Sequence, residues 1–323
     1  MKKAIIFILI FLWILPLDAY AVRDIDYFNT HIKEITEYYP LFNSRYGERL
    51  IKYNSKLDTI EKLKKLYSSI DSYSNFFSKD ELADNIFGRK DDIDRIPVEY
   101  EIIKDIGYIR IFTFNDDIYD KVVDVLKIMD ENKINNLVLD LRDNKGGEII
   151  ESVKVGQLFV KEGLIAKIDY YSKEFEDIEY YSNLKELKYN LIVLVNEETS
   201  SAAELLTGAI QDSGSGYIVG NKTFGKSKIQ KFIPLMTKKA YINNELLEKP
   251  TVNLLKAIEH GIFINGKDLL GWAKLTVGCF YCRNGKEVEG KGIDPDYIYN
   301  GTQGEEYLTI LFNKLFNLVR IIS

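Results

Sequence analysis

Apolar positions along this chain alternate between two rhythms. Short, nearly unbroken apolar runs at 108–112, 136–141, 191–195 and 217–219 have the length and the β-branched content of buried strands. Between them lie stretches with helical spacing. Asn115 caps one whose apolar side carries Ile118, Val122, Val125, Leu126 and Met129; others cover 148–159 and 202–211. Strand and helix in alternation predict an α/β fold with a parallel sheet and crossover helices. Upstream, Leu57, Ile60, Leu63 and Leu66 line one helical face, and Ser78-Lys79-Asp80-Glu81 is a capping box. The N-terminal region thus reads as helical. The hydrophilic stretch 170–187 carries no element, the pattern loosens over 236–272, and an amphipathic helix over 305–321 closes the chain.

Composition narrows the classes. With 46% hydrophobic and 28% charged residues in 323, the body is globular. A net charge of −6 supplies no polycationic surface, so a nucleic-acid partner is not expected. Lys2 and Lys3, the apolar run 4–15 and Ala19-Tyr20-Ala21 form a secretory signal, cleaved after Ala21. The run is short of the ~20 residues of a membrane span. No stable span is therefore expected after cleavage, and the mature protein is expected outside the cytoplasm, periplasmic or secreted. Cys279 and Cys282 are the only cysteines. In an extended strand they would point to opposite faces about 10 Å apart, and a bridge would need a turn there, so plain packing or a local staple is favoured over redox chemistry, and no metal or other cofactor is expected.

The candidate chemistry lies where the run 191–195 delivers the chain to the helix at 202. Ser201 stands at that junction, where backbone N–H groups are unpaired and negative charge is favoured. Thr223-Phe224-Gly225-Lys226 and Gln230 follow. A serine needs a base, and a lysine is one only when neutral, which at pH 7 means a pKa about three units below ~10.4 at roughly 4 kcal/mol. If the chain after Lys226 is extended, Lys226, Lys228 and Gln230 share a face, and the Gln230 amide can hold the lysine amine. The N–H of Ala202 and one from the Gly146-Gly147 turn would meet the oxyanion. Plainer readings stand beside this one: Ser201-Ala202-Ala203-Glu204 is also a capping box, and Lys226 also suits a solvated turn. A His-based triad has only His31 and His260 to draw on, and neither carries a motif.

The segments Leu139-Asp140-Leu141-Arg142-Asp143-Asn144-Lys145-Gly146-Gly147, Thr199-Ser200-Ser201-Ala202-Ala203-Glu204, Thr223-Phe224-Gly225-Lys226 with Gln230, and Gly290-Lys291-Gly292-Ile293-Asp294-Pro295-Asp296 stand in the order found in the C-terminal processing peptidases. These tail-specific proteases are the S41 serine peptidases, which the chain resembles from about 70 to 296. The resemblance implies a crotonase-like core, Ser201 as nucleophile, Lys226 as general base, Gln230 as the residue orienting the lysine, and Gly146, Gly147 and Ala202 as the oxyanion hole. It implies no cofactor and a polypeptide substrate. Lys145 stands where the family has proline, and Ser227 where glycine is common. Phe77 and Ile102 are about 25 residues apart, too close for a PDZ domain when even a small domain needs roughly 50. The expected organisation is a signal peptide at 1–21, an N-terminal helical region at 22–97 that could mediate a homodimer, and a peptidase core at 98–300. That core carries an insertion at 236–272 beside the site, and a C-terminal helix at 301–323 follows it. A catalytically inactive peptide-binding protein of the same fold is the alternative, and acyl-CoA chemistry on the same core is disfavoured by export.

Overall fold

In chain order the elements are α1 (Ile60–Ser68), β1 (Asn75–Ser78), β2 (Val98–Ile103), β3 (Ile106–Ile111), α2 (Ile118–Glu131), β4 (Asn136–Asp140), α3 (Ile149–Phe159), β5 (Gly163–Tyr170), β6 (Ile178–Ser182), β7 (Asn190–Val195), α4 (Ala202–Asp212), β8 (Tyr217–Gly220), β9 (Lys228–Met236), β10 (Leu269–Cys282) and β11 (Tyr297–Ile298). The computed structural model describes residues 60–78, 81, 97–115, 117–171, 176–236, 269–299, 310 and 312–315. Two units divide the chain. Met1–Asp94, Tyr170–Phe175 and Ile229–Gly278 form the first, and the remaining residues form the second.

In the second unit the four apolar runs become neighbours. The sheet order is β11-β8-β7-β4-β3-β2. β3, β4, β7, β8 and β11 are mutually parallel, and only the edge strand β2 is antiparallel to its neighbour. Ile103, Ile106, Val138, Ile192, Leu194 and Val219 cluster with Phe312 and Leu315 of the C-terminal helical residues. The alternate positions Leu137, Leu139, Val193 and Ile218 are buried as well. Burial on both faces is why these strands read as apolar runs rather than as alternation. Register sets Arg110 opposite Asp140 and Asp140 opposite Leu194, so the carboxyl ends of β3, β4 and β7 are level, and the loops leaving β4 and β7 start side by side.

Several boundaries differ from the sequence reading. The residue capping α2 is Asp117, in a left-handed conformation with φ 73°, while the Asn115 carbonyl accepts from Ile118 N–H in a turn just before the helix. The stretch 170–187 is not bare: it carries β6, which pairs antiparallel with β5 and whose residues Ile178 to Tyr181 alternate between half-buried and exposed without an apolar run. β10 begins at Leu269, so 269–272 belong to a strand and not to the loose segment; residues 237–268, with His260, lie outside the described residues.

In the first unit, β1 runs antiparallel to β10, with Asn75 opposite Lys274 and Ser78 opposite Gly271, and β9 pairs with β10 too. The Tyr67 ring of α1 lies 5.7 Å from Phe76. Ser78 N–H and hydroxyl both donate to Glu81, which supports the capping reading at that point; the helix expected beyond it lies outside the described residues.

Candidate active site

β4 ends at Asp140, which is fully buried. Its carboxylate accepts from Arg142 at the backbone N–H, Nε and Nη2 and from the Tyr108 hydroxyl. Burial and the adjacent Asp140 charge push the Tyr108 hydroxyl up, so it stays protonated and donates. The glycine turn that follows is organised by Asn144. This buried amide donates from Nδ2 to Ile111 O at 2.9 Å and accepts Gly146 N–H on Oδ1 at 2.8 Å. Gly146 O in turn accepts from Phe114 N–H, and Glu148 N–H donates to Phe114 O.

Both glycines of the turn are required by geometry. Gly147 has φ 139°, and a Cβ there would overlap the carbonyl of Phe114. Gly146 has φ 96°, and a Cβ there would stand 2.9 Å from Ser201 Cβ and 3.0 Å from Ala202 N. The turn therefore packs directly against the start of α4. Because Gly146 N–H is committed to Asn144, Gly147 N–H is the one left over: among the described residues, neither it nor Ala202 N–H has an acceptor.

The loop from β7 is fixed to the same turn. Thr199 donates its hydroxyl to Leu141 O at 2.8 Å, Ser200 N–H donates to Asn144 O, and Asn196 and Asp143 exchange two bonds, each donating to the other. Ser201 then takes φ 58°, ψ −119°. This is an unusual conformation for a residue with a side chain, costing about 1–3 kcal/mol. Sharp, strained strand-to-helix turns of this kind thrust a serine hydroxyl outward.

Glu204, one turn into α4, holds that strain in place. It is fully buried and takes four donors, two on each oxygen. Oε2 accepts Ser201 N–H at 2.9 Å and Lys226 N–H at 2.8 Å; Oε1 accepts the Thr223 hydroxyl at 2.6 Å and Gly225 N–H at 2.7 Å. The backbones of Ser201 and Lys226 thus meet on one oxygen. Ile293 N–H donates to the Thr223 hydroxyl at 2.7 Å, so that hydroxyl must give its own proton to Glu204. Burial raises the Glu204 carboxyl above its ordinary range, and the four donors oppose that rise. The sequence offered Glu204 only as a capping-box partner. Its bonds to residues 19 to 22 positions downstream carry no local signal.

The expected site residues are therefore placed as follows. Ser201, Ala202, Gly146 and Gly147 adjoin one another, and Lys226 is joined to them through Glu204. Gln230 lies on β9, among the residues of the first unit. Cys279 and Cys282 are free and buried on β10, with no turn between them. The Cys282 sulfur packs at Gly208 of α4, and burial pushes its thiol up to about 12, the state of an inert packing group. An open crevice of about 580 Å³ lies at the opposite edge of the sheet, by the amino ends of β7 and β8 at Asn190 and Tyr217; it contains none of the residues above.

The chain is similar in sequence and in fold to several known proteins. The chain is 27% identical over 216 residues to a carboxy-terminal-processing protease of Bartonella bacilliformis, covering 65% of this chain and 42% of that protein. It is 37% identical over 132 residues to the chloroplastic carboxyl-terminal-processing peptidase 2 of Arabidopsis thaliana, covering 40% and 25%. A probable CtpA-like serine protease of Staphylococcus aureus is 32% identical over 175 residues, covering 53% and 34%. The chain thus spans less than half the length of these relatives. In fold it resembles the solved photosystem II D1 C-terminal processing protease, with a TM-score of 0.63, 16% identity, and coverage of 86% of this chain and 93% of that one. It also resembles a lipoprotein from Streptococcus agalactiae, with a TM-score of 0.57, 14% identity, and coverage of 89% and 94%. The model of peptidase family S41 matches residues 105–299, and the chain belongs to that family.

Proposed function

We propose that this protein is a serine endopeptidase that cleaves polypeptides through an acyl-enzyme, with Ser201 as nucleophile and Lys226 as general base. The observation that carries the reading is the shared anchorage of these two residues on Glu204 Oε2, with the glycine turn packed against Ser201. Neutral Lys226 takes the Ser201 proton as Oγ attacks the peptide carbonyl. The oxyanion is met by Ala202 N–H and Gly147 N–H, the donor in the Gly146-Gly147 turn without an acceptor of its own. The lysine then passes its proton to the departing amine, and water hydrolyses the ester by the same route in reverse. Gln230 is assigned to holding the Lys226 amine, as the family resemblance implies.

A polypeptide substrate is supported by the names of the relatives, two of which process carboxyl termini. The basic start, apolar run and Ala-x-Ala site of the first 21 residues support an extracytoplasmic location. Among the described residues no helix is long and apolar enough to cross a membrane. A crotonase-like core at 98–300, and a homodimer through the region before it, complete the proposal. The decisive experiment is cleavage of an unstructured peptide together with labelling by a serine-directed phosphonate. Wild type is expected to cleave and to be labelled. Ser201→Ala is expected to do neither, and Lys226→Ala is expected to lose cleavage while remaining folded. Equal cleavage by wild type and Ser201→Ala would overturn the reading.

A further inference from the structure

A second carboxylate grips the chain just after Lys226, and nothing in the reaction above uses it. Ser227 is buried. Its N–H donates to Glu289 Oε2 at 2.9 Å, Lys228 N–H donates to the same oxygen at 3.2 Å, and the Ser227 hydroxyl lies 3.3 Å from it. Glu204 already takes Gly225 N–H and Lys226 N–H. Four consecutive N–H groups are thus held in pairs by two carboxylates, with Lys226 at the centre of the run. The carbonyls are engaged too: Gly225 O accepts from Gly290 N–H, the residue after Glu289, and Ser227 O accepts from Phe280 N–H.

We infer that Glu289, together with Ser227, is a positioning residue for Lys226. The inference rests on the Ser201–Lys226 reading. A lysine amine sits at the end of a flexible four-carbon stem, so its location relative to a nucleophile is no better defined than the backbone it springs from. A glycine at 227 would leave that backbone more freedom. Serine narrows the freedom and adds a third donor to Glu289. The departure from the family's common glycine is in this way matched by an acceptor within reach, and the pair explains it.

All three donors fall on one oxygen of Glu289, which makes geometry separable from charge. Glu289→Gln removes the charge but keeps an oxygen able to accept the same N–H groups. Glu289→Asp keeps the charge but withdraws the oxygen by one methylene. The experiment measures kcat, KM, the pH profile of kcat and thermal unfolding on the full chain with a fluorogenic peptide. Glu289→Ala and Glu289→Asp are expected to lower kcat roughly ten- to a hundredfold with little change in KM. The lower limb of the kcat profile is expected to move to higher pH, because a loosely held lysine is better solvated and harder to deprotonate. Glu289→Gln is expected to recover most of the kcat and the original limb. The aspartate and glutamine variants carry the test by themselves if the alanine variant does not fold. Wild-type kcat and pH limb in Glu289→Asp overturn the inference, as does a glutamine variant no better than the aspartate one, which would assign the effect to charge. Failure of the dyad reading itself would show separately, as cleavage by Ser201→Ala and Lys226→Ala with no Glu289 variant involved.

Discussion

Two loops leave the carboxyl edge of the sheet side by side, and they are anchored by opposite chemistry. The glycine turn after β4 hangs on Asn144, a neutral amide that must donate to Ile111 O and accept from Gly146 N–H at the same time. The start of α4 and the Lys226 segment hang on Glu204, which must only accept, four times over. Each residue type follows from the signs of the groups around it. A carboxylate at 144 would face a carbonyl, and an amide at 204 would turn its NH2 toward two donors. The comparison also separates what pH can reach. The oxyanion side is held by an uncharged group, whereas the nucleophile and the base depend on a buried charge.

The largest effect is expected from Glu204→Gln. Two of four buried donors would lose their acceptor, a cost of about 3 kcal/mol, read as a fall in the denaturant midpoint. Peptide cleavage should drop by about a hundredfold, because the new NH2 faces a pair of donors on either side, Ser201 with Lys226 or Thr223 with Gly225, and each pair lies on the backbone that carries the dyad. A variant with wild-type stability and cleavage would dissolve the distinction between the two anchors. Titration sharpens it. Burial holds the Glu204 carboxyl above the ordinary value of 4.5, so ionising it costs the folded state more than the unfolded one. Its contribution to stability is therefore full below about 4.5 and declines as pH rises through the folded value. The stability difference between wild type and Glu204→Gln should shrink with pH across that window and then level off; a difference that grows there would mean the shift has the opposite sign. Cleavage moves the other way, falling as acid protonates the carboxylate and one of its four donors is turned away.

Asn144 is the next test. In Asn144→Asp the oxygen facing Gly146 N–H survives, but the group facing Ile111 O becomes an acceptor against an acceptor, at about 2 kcal/mol. Cleavage should fall through kcat, because the donor at Gly147 moves with the turn. Lowering the pH should restore part of both losses, since a protonated aspartic acid regains a donor. For cleavage, that is the reverse of the acid response expected of Glu204. Acid-induced loss of cleavage in both would erase the contrast.

The two loops also differ in how far the sequence discloses them. The four parallel strands and the serine junction were legible because burial on both faces writes an apolar run, and a strand-to-helix junction writes a capping pattern. β2 was not legible: it lies at the sheet edge with Glu99, Tyr100 and Glu101 exposed. β6 is half-exposed and alternates weakly through Glu179, Tyr180 and Tyr181. Gly146 and Gly147 announced a tight turn, but which N–H remains for an oxyanion depends on Asn144 closing on Gly146. Glu204 looked local because its first contact is three residues away; its other partners come from the chain that returns after β8. Glu289 lies 62 residues from Ser227, a separation over which no periodicity speaks.

The smallest expected effect concerns the rim, where the two loops are joined a second time. Lys145, on the glycine turn, pairs with Glu198, on the serine loop, at 3.3 Å, with their side chains 76% and 52% exposed. An ion pair so open to water gains little beyond what hydration already gives each partner, and it holds two long side chains in one geometry. Lys145→Ala should therefore change stability by no more than about 0.5 kcal/mol, and cleavage at moderate salt should stay within about twofold. The alignment of the loops is already set beneath this pair by Thr199 on Leu141 O, Ser200 on Asn144 O and the Asn196–Asp143 exchange. A large loss in Lys145→Ala, measured by unfolding or by kcat, would mean that these inner bonds do not fix the turn against Ser201 by themselves. The difference between an amide anchor and a carboxylate anchor would then matter less than the charged rim that spans them.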